Sequence, residues 1–140
     1  MLGKILGKSG KSLVPLGYEI KNGSFAKTIV STSGIVSGQI STNPDIIPLV
    51  VHTQYTAQHK AWACSCLFTF TGLSGQYGTS GPAGGGDQLT NGWSSNINLA
   101  YGLDLPNELS KLKQRNTINV QTWAGTASVT VTVVEWLQKK

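Results

Sequence analysis

Strict alternation of side-chain size and polarity constrains this chain more than any other feature. In AWACSCLFTF, Trp62, Cys64, Cys66, Phe68 and Phe70 share one parity, and Ala61, Ala63, Ser65, Leu67 and Thr69 share the other. In SVTVTVVEWL, Val129, Val131 and Val133 alternate with Thr130 and Thr132, and Val134 and Trp136 continue the second face. Successive side chains of a strand point to opposite sides of the sheet, so a period of two with one bulky face marks a strand half-buried in a core.

The same period recurs along the chain. IIPLVVHTQYTA puts Ile47, Leu49, Val51, Thr53 and Tyr55 on one face and His52, Gln54 and Thr56 on the other. Pro48 has no N–H, so that end is a sheet edge or the strand starts after it. GIVSGQIS predicts a short strand around 35–40, and alternation resumes from Trp93 to Leu99. Turn residues punctuate these runs. Asn22-Gly23, inside YEIKNGSFAKTIV, tolerates the positive φ of a type I′ turn and predicts a hairpin. Asn43-Pro44 marks a turn. Ala57 to Lys60 is expected to turn one strand into the next, and Gly125 to close a terminal hairpin within Ala124 to Ala127. PNELSKLKQ reads as the one helical turn, with Pro106 in its first turn and Asn107 or Asp104 as cap.

From Gly72 to Gly92 the chain is rich in Gly, Ser and Thr without periodicity, so 72–92 is expected to be a long loop, functional or disordered. Seven or eight strands separated by turn signals predict an all-β, antiparallel sandwich, a single jelly roll of about eight strands. With 140 residues, one domain over 17–140 follows a flexible basic N-terminal arm over 1–16.

Charge is scarce and uneven. Eleven Lys and Arg face six Asp and Glu, for a net charge of +5. Lys4, Lys8 and Lys11 lie in the arm, Lys111, Lys113 and Arg115 form a second group, and 22–107 is almost uncharged. A cationic edge on a neutral body suits a polyanionic or membrane partner. No run of 18 apolar residues predicts a transmembrane helix, and LVPL is too short for a secretory signal.

The arm, MLGKILGKSGKS, resembles a phosphate-binding loop but fails its spacing. Gly3 and Gly7 enclose three residues where four are needed, and counting back from Gly10-Lys11-Ser12 puts the required glycine on Ile5. On a helical wheel Leu2, Ile5 and Leu6 fall opposite Lys4, Lys8 and Lys11, a pattern that lies on membranes or docks into grooves. Three glycines, at about 1 kcal/mol each against alanine, keep it from folding alone. The arm is therefore expected to order only on a partner, whether lipid, nucleic acid or protein.

Catalytic signatures are missing. Six carboxylates form no recognisable pair, His52 and His59 carry no accompanying motif, and no G-x-S-x-G, H-E-x-x-H or repeated Cys/His spacing occurs. Cys64 and Cys66, two apart on a strand, would hold their Cα atoms about 6.5 Å apart with parallel Cβ vectors, which is poor disulfide geometry. They are expected to be free, buried thiols. The chain reads as a non-enzyme, with no metal and no cofactor. Trp62, Trp123 and Trp136 are expected in the core. Tyr77 and Trp93, bounding the Gly-rich segment, are the aromatics expected to face a ligand, and a glycan suits rings with apolar faces and polar edges.

A short basic arm, a charge-poor Ser/Thr/Gly-rich body, a long Gly-rich segment and a terminal Thr/Val strand together resemble the small single jelly-roll structural proteins of viruses and bacteriophages: capsid, penton or spike subunits. The resemblance is one of pattern over the full length. It implies a non-enzymatic virion protein that self-assembles into a homo-oligomer with other particle proteins, located in the virion after assembly in the host cytoplasm. It also implies that the arm makes interior or intersubunit contacts. The alternative reading is a carbohydrate-binding β-sandwich module used in attachment.

Overall fold

The computed structural model describes the backbone of residues 14–59, 63–75, 77–82, 88–105 and 107–140, and the side chains of 14–56, 67–75, 94–105, 107–122 and 125–140. Among the described residues, six strands and one short helix follow in the order β1 (Tyr18–Gln39), β2 (Ile46–His59), β3 (Ala63–Phe70), β4 (Tyr77–Pro82), β5 (Gln88–Asn98), α1 (Leu109–Gln114) and β6 (Thr117–Lys139). All strand pairings are antiparallel.

Two of these strands are far longer than the usual 5–6 residues, and both belong to two sheets. The first part of β1, up to Thr32, pairs with β6 from Thr126 onward, and its second part, from Gly34, pairs with Thr117–Thr122 of β6. On its other side β6 holds β2 along Thr126–Gln138 and β3 along Ile118–Thr122. The pairing is continuous through all six strands, and this curled sheet forms two four-stranded layers, the two sheets of a sandwich. One is β1–β6–β2–β5 and the other β1–β6–β3–β4, with β1 and β6 turning the corner between them. Counted as eight segments in chain order, the sheets read 1-8-3-6 and 2-7-4-5, the winding of a jelly roll.

The corner has a local cause. Ser33 has φ 49° and Gly125 has φ 80°, and they sit where the β1–β6 register shifts between Thr32 and Gly34. The Ser31 hydroxyl donates to the Gly34 carbonyl at 2.7 Å across this kink. Buried positions on β6 change parity there, from Ile118, Val120 and Thr122 to Ala127, Val129, Val131 and Val133. Past the corner the sheets face each other. A Cβ on Gly38 would collide with the Cδ1 of Ile29, nine residues earlier on the same strand. In a straight strand these residues would be about 30 Å apart. Tyr55 of β2 meets Phe68 of β3 edge-on, with centroids 5.9 Å apart.

Between the sheets lie Ile47, Leu49, Val51 and Tyr55 of β2, Phe68 and Phe70 of β3, and the inward residues of β6. The face assigned to β2 by alternation is therefore the buried one. Pro48 is tolerated because β5 pairs only from Val50 onward and a β2–β6 irregularity lies beside it. Burying the apolar stripes contributes the main favourable free energy, at about 25 cal/mol per Å².

Several expectations are corrected. Asn22-Gly23 is no hairpin turn but a bulge within β1, between Asn22 and Phe25. Its glycine is needed because a Cβ there would lie 2.7 Å from the Trp136 ring. Gly125 bends β6 without reversing it, so the terminal hairpin does not form and β6 pairs with β1, β2 and β3 instead. Ala57 to His59 do not turn but extend β2, while Lys60 lies outside the described residues, and β6 lies between β2 and β3 in the pairing order. The segment 72–92 is not one loop; it contains β4 and the start of β5. Helix α1 starts after Glu108 with no side-chain cap. Instead Glu108 accepts the Asp104 N–H at 2.8 Å, and Asn107 bonds the Asp104 carboxylate at 3.3 Å.

The basic group at 111–115 divides. Lys111 and Lys113 are exposed, while Arg115 is 8% exposed and holds the end of the sandwich opposite the corner. Its Nη1 donates to the carbonyls of Leu99 (2.6 Å) and Tyr101 (2.9 Å), and its Nε to that of Gly72 (3.1 Å). Burial pulls the guanidinium below its ordinary value, and Glu108 offsets part of this; it stays a cation. Asn116 clips the same end, accepting the Ser41 N–H at 2.8 Å and donating to the Ser41 carbonyl at 2.7 Å.

Candidate assembly interface

Strand β1 is the edge of both sheets: among the described residues it pairs with β6 alone. Edge strands expose unpaired N–H and C=O groups, and proteins that stay apart usually blunt them with charge, proline or a cover. Charge on β1 is confined to its first half, where Lys21 and Glu19 pair at 3.3 Å and Lys27 is exposed. From Thr28 to Gln39 there is no charged residue and no proline. Val30 (52% exposed) and Ile35 (65%) are apolar on either side of the Ser33 corner, and Val36 is exposed beside them.

The surface next to this edge is uncharged for a structural reason. Thr28 meets Thr130 (2.9 Å) and Thr32 meets Thr126 (3.3 Å) from β1 to β6, and Thr56 of β2 meets Ser128 (2.9 Å). On the other sheet Ser37 donates to Asn119 (2.6 Å), whose amide donates to Thr71 (3.2 Å). Cross-strand hydroxyl and amide rungs thus take the place that Lys and Glu hold on most surfaces. Desolvating such a surface removes no unpaired charge from water, which is the costliest step in forming a contact.

The sequence-derived candidates fall elsewhere. Leu2, Lys4, Ile5, Leu6, Lys8 and Lys11 lie outside the described residues. Just after them, Leu16 is 97% exposed, and the chain is fastened by Tyr18 N–H to Pro15 O (3.1 Å) and Lys140 N–H to Gly17 O (2.9 Å). Tyr77 begins β4 and Trp93 lies within β5, but their side chains lie outside the described ones, as do those of Cys64, Cys66, Trp62 and Trp123. Trp136 is half-buried against the core, edge-on to Phe25 at 5.2 Å. His52 donates from Nδ1 to Asn96 at 3.0 Å. Glu135 is the least expected group. It is 2% exposed, neither of its carboxylate oxygens has a hydrogen-bond partner among the described residues, and burial pushes its pKa up. Sequence reasoning singled out neither Val30 and Ile35 nor Glu135. The signal for the first pair was the uncharged stretch around them.

No protein-family model and no curated protein match the chain. Among solved structures, it is similar to a protein of the Bacillus endospore appendages, described as a novel family of disulfide-linked pili. The identity is 10%, the match covers 89% of this chain and 96% of that one, and the TM-score is 0.35. It is similar at 8% identity to a chain of infectious bursal disease virus Gx strain, covering 87% of this chain and 36% of that one, with a TM-score of 0.31. It is also similar at 8% identity to TmCBM61 in complex with β-1,4-galactotriose, covering 89% of this chain and 86% of that one, with a TM-score of 0.29. No activity is carried over from these proteins.

Proposed function

We propose that this protein is a non-enzymatic, self-associating structural subunit of a particle, specifically a capsid, penton or spike subunit of a virus or bacteriophage. The observation that carries the reading is the β1 edge. It runs the length of both sheets, lacks charge from Thr28 to Gln39, and presents Val30 and Ile35 to solvent. A second copy of the chain is the partner this surface fits, because its own outer faces are equally uncharged and hydroxyl-lined. The basic arm, residues 1–16, is assigned interior or intersubunit contacts, with lysines for a polyanionic or lipid surface. The fully exposed Leu16 at its base supports a partner there.

Sedimentation velocity over a wide concentration range tests the proposal. The full chain is expected to associate in a concentration-dependent way. Val30→Lys with Ile35→Lys, both at exposed positions, is expected to leave it monomeric with unchanged unfolding. A chain that stays monomeric at about millimolar concentration, where even contacts of ~4 kcal/mol would populate oligomers, overturns the reading. So does association that ignores the double substitution.

A further inference from the structure

Going beyond the assembly reading, we infer that the recess beside Tyr101 is a binding site for a short, uncharged oligosaccharide. The recess has a volume of about 410 Å³ and lies between the turn after β3, which contributes Leu73 and Ser74, and the end of β5, which contributes Ser95, Asn96 and Asn98. Tyr101 forms its rim and is 73% exposed. That volume falls within the range of small-molecule sites, about 300–1,000 Å³.

The chemistry of the lining selects the ligand. Tyr101 offers a ring face to the apolar C–H side of a sugar and a hydroxyl to its edge. Asn96 uses its carbonyl oxygen to accept from His52, and Asn98 uses its own to accept the Ala100 N–H at 3.0 Å. Each amide is thereby fixed in orientation, and each amide nitrogen is without a partner among the described residues. Two held donors and a free aromatic face are what a polyhydroxylated ring needs. Among the described residues, no charged side chain lines the recess. Arg115, behind the turn, is buried and committed to carbonyls. An acidic ligand therefore finds no counter-charge, and a wholly apolar one would strand the amides.

The recess is also preorganised. Arg115 grips both of its walls at once, through Gly72 on one side and through Leu99 and Tyr101 on the other. The turn is further fixed by Tyr101 N–H to Asn98 O (3.2 Å) and Leu103 N–H to Ala100 O (3.1 Å). Rigid walls cut the ordering cost that weakens binding by flexible loops. The site lies at the end of the sandwich opposite the Ser33 corner, so it stays clear of Val30 and Ile35.

The test is an NMR titration of the isotope-labelled full chain with neutral tetrasaccharides of the gluco, xylo, manno and galacto series, and with tetragalacturonate as the acidic counterpart. At least one neutral probe is expected to shift the side-chain amides of Asn96 and Asn98. Tyr101→Ala is expected to weaken it about tenfold or more, and Tyr101→Phe, which keeps the ring face, by less than about threefold. The Val30→Lys, Ile35→Lys variant is expected to bind as the parent does, which separates this site from assembly. The inference is overturned if no neutral probe moves those amides, if Tyr101→Ala binds unchanged, or if the acidic probe binds more tightly than every neutral one.

Discussion

Removing the Arg115 guanidinium should loosen one whole end of the sandwich. In Arg115→Met the stem keeps much of its packing while three carbonyls, those of Gly72, Leu99 and Tyr101, lose their donor. A hydrogen bond to a charged group contributes about 1.5–3 kcal/mol net, and an orphaned buried acceptor costs about 1–3 kcal/mol. The Leu99 contact is buried, so its loss should be felt in full, whereas the other two are part-buried and water can replace some of what they lose. The net destabilisation is then about 3 kcal/mol. With an m-value of about 1.5–2 kcal/mol/M in urea, the unfolding midpoint should fall by roughly 1.5–2 M with m unchanged. Arg115→Lys keeps the charge but concentrates its donors at one point, so it should recover about one of the three contacts and still cost about 2 kcal/mol. Hydrogen exchange supplies a local readout: the amides of Leu73, Tyr101 and Leu103, which bond within the clamped turns, should lose protection. An unfolding free energy within about 0.5 kcal/mol of the parent for Arg115→Met, or full rescue by lysine, would refute the clamp.

Two further outcomes follow from single groups. Because burial holds the Glu135 carboxyl above its ordinary value, the folded state binds its proton more tightly than the unfolded chain. Its stability contribution is therefore present below the ordinary carboxyl range and is lost as pH rises through the raised value. Glu135→Gln should stabilise the protein at about pH 7 and leave it nearly unchanged below about pH 4; urea midpoints at the two pH values check this, and an equal shift at both would contradict it. Gly38→Ala pushes a methyl into Ile29 Cδ1 and should cost about 1–2 kcal/mol. In a double-mutant cycle Ile29→Val, which deletes that atom, should return about 1 kcal/mol of coupling, and additive losses would mean that the sheets do not meet there.

By itself, the sequence determined which apolar faces of its clearest strands point inward. Alternation from Ile47 to Tyr55 and from Val129 to Val133 named the buried faces correctly, the turn at Asn43-Pro44 stands where local chemistry placed it, and the helix expected within 106–114 forms at 109–114 without the expected cap. Even the count of about eight strands survives as eight paired segments. The tertiary structure alone decided how those segments join. A hairpin turn, a bulge and a corner all ask for glycine or for a residue of positive φ, so Asn22-Gly23 and Gly125 look alike in sequence. They differ only in which strand lies opposite: Trp136 over Gly23, and β1 continuing beside β6 on both sides of Gly125. The proposed sites follow the same rule. An uncharged run from Thr28 to Gln39 is legible, but its position on a free edge depends on which side of β1 is taken by β6. The Tyr101 recess depends on a guanidinium that reaches back 43 residues to Gly72. Periodicity records the environment of one face of one segment, whereas edges, corners and recesses arise from contacts between segments far apart in the chain.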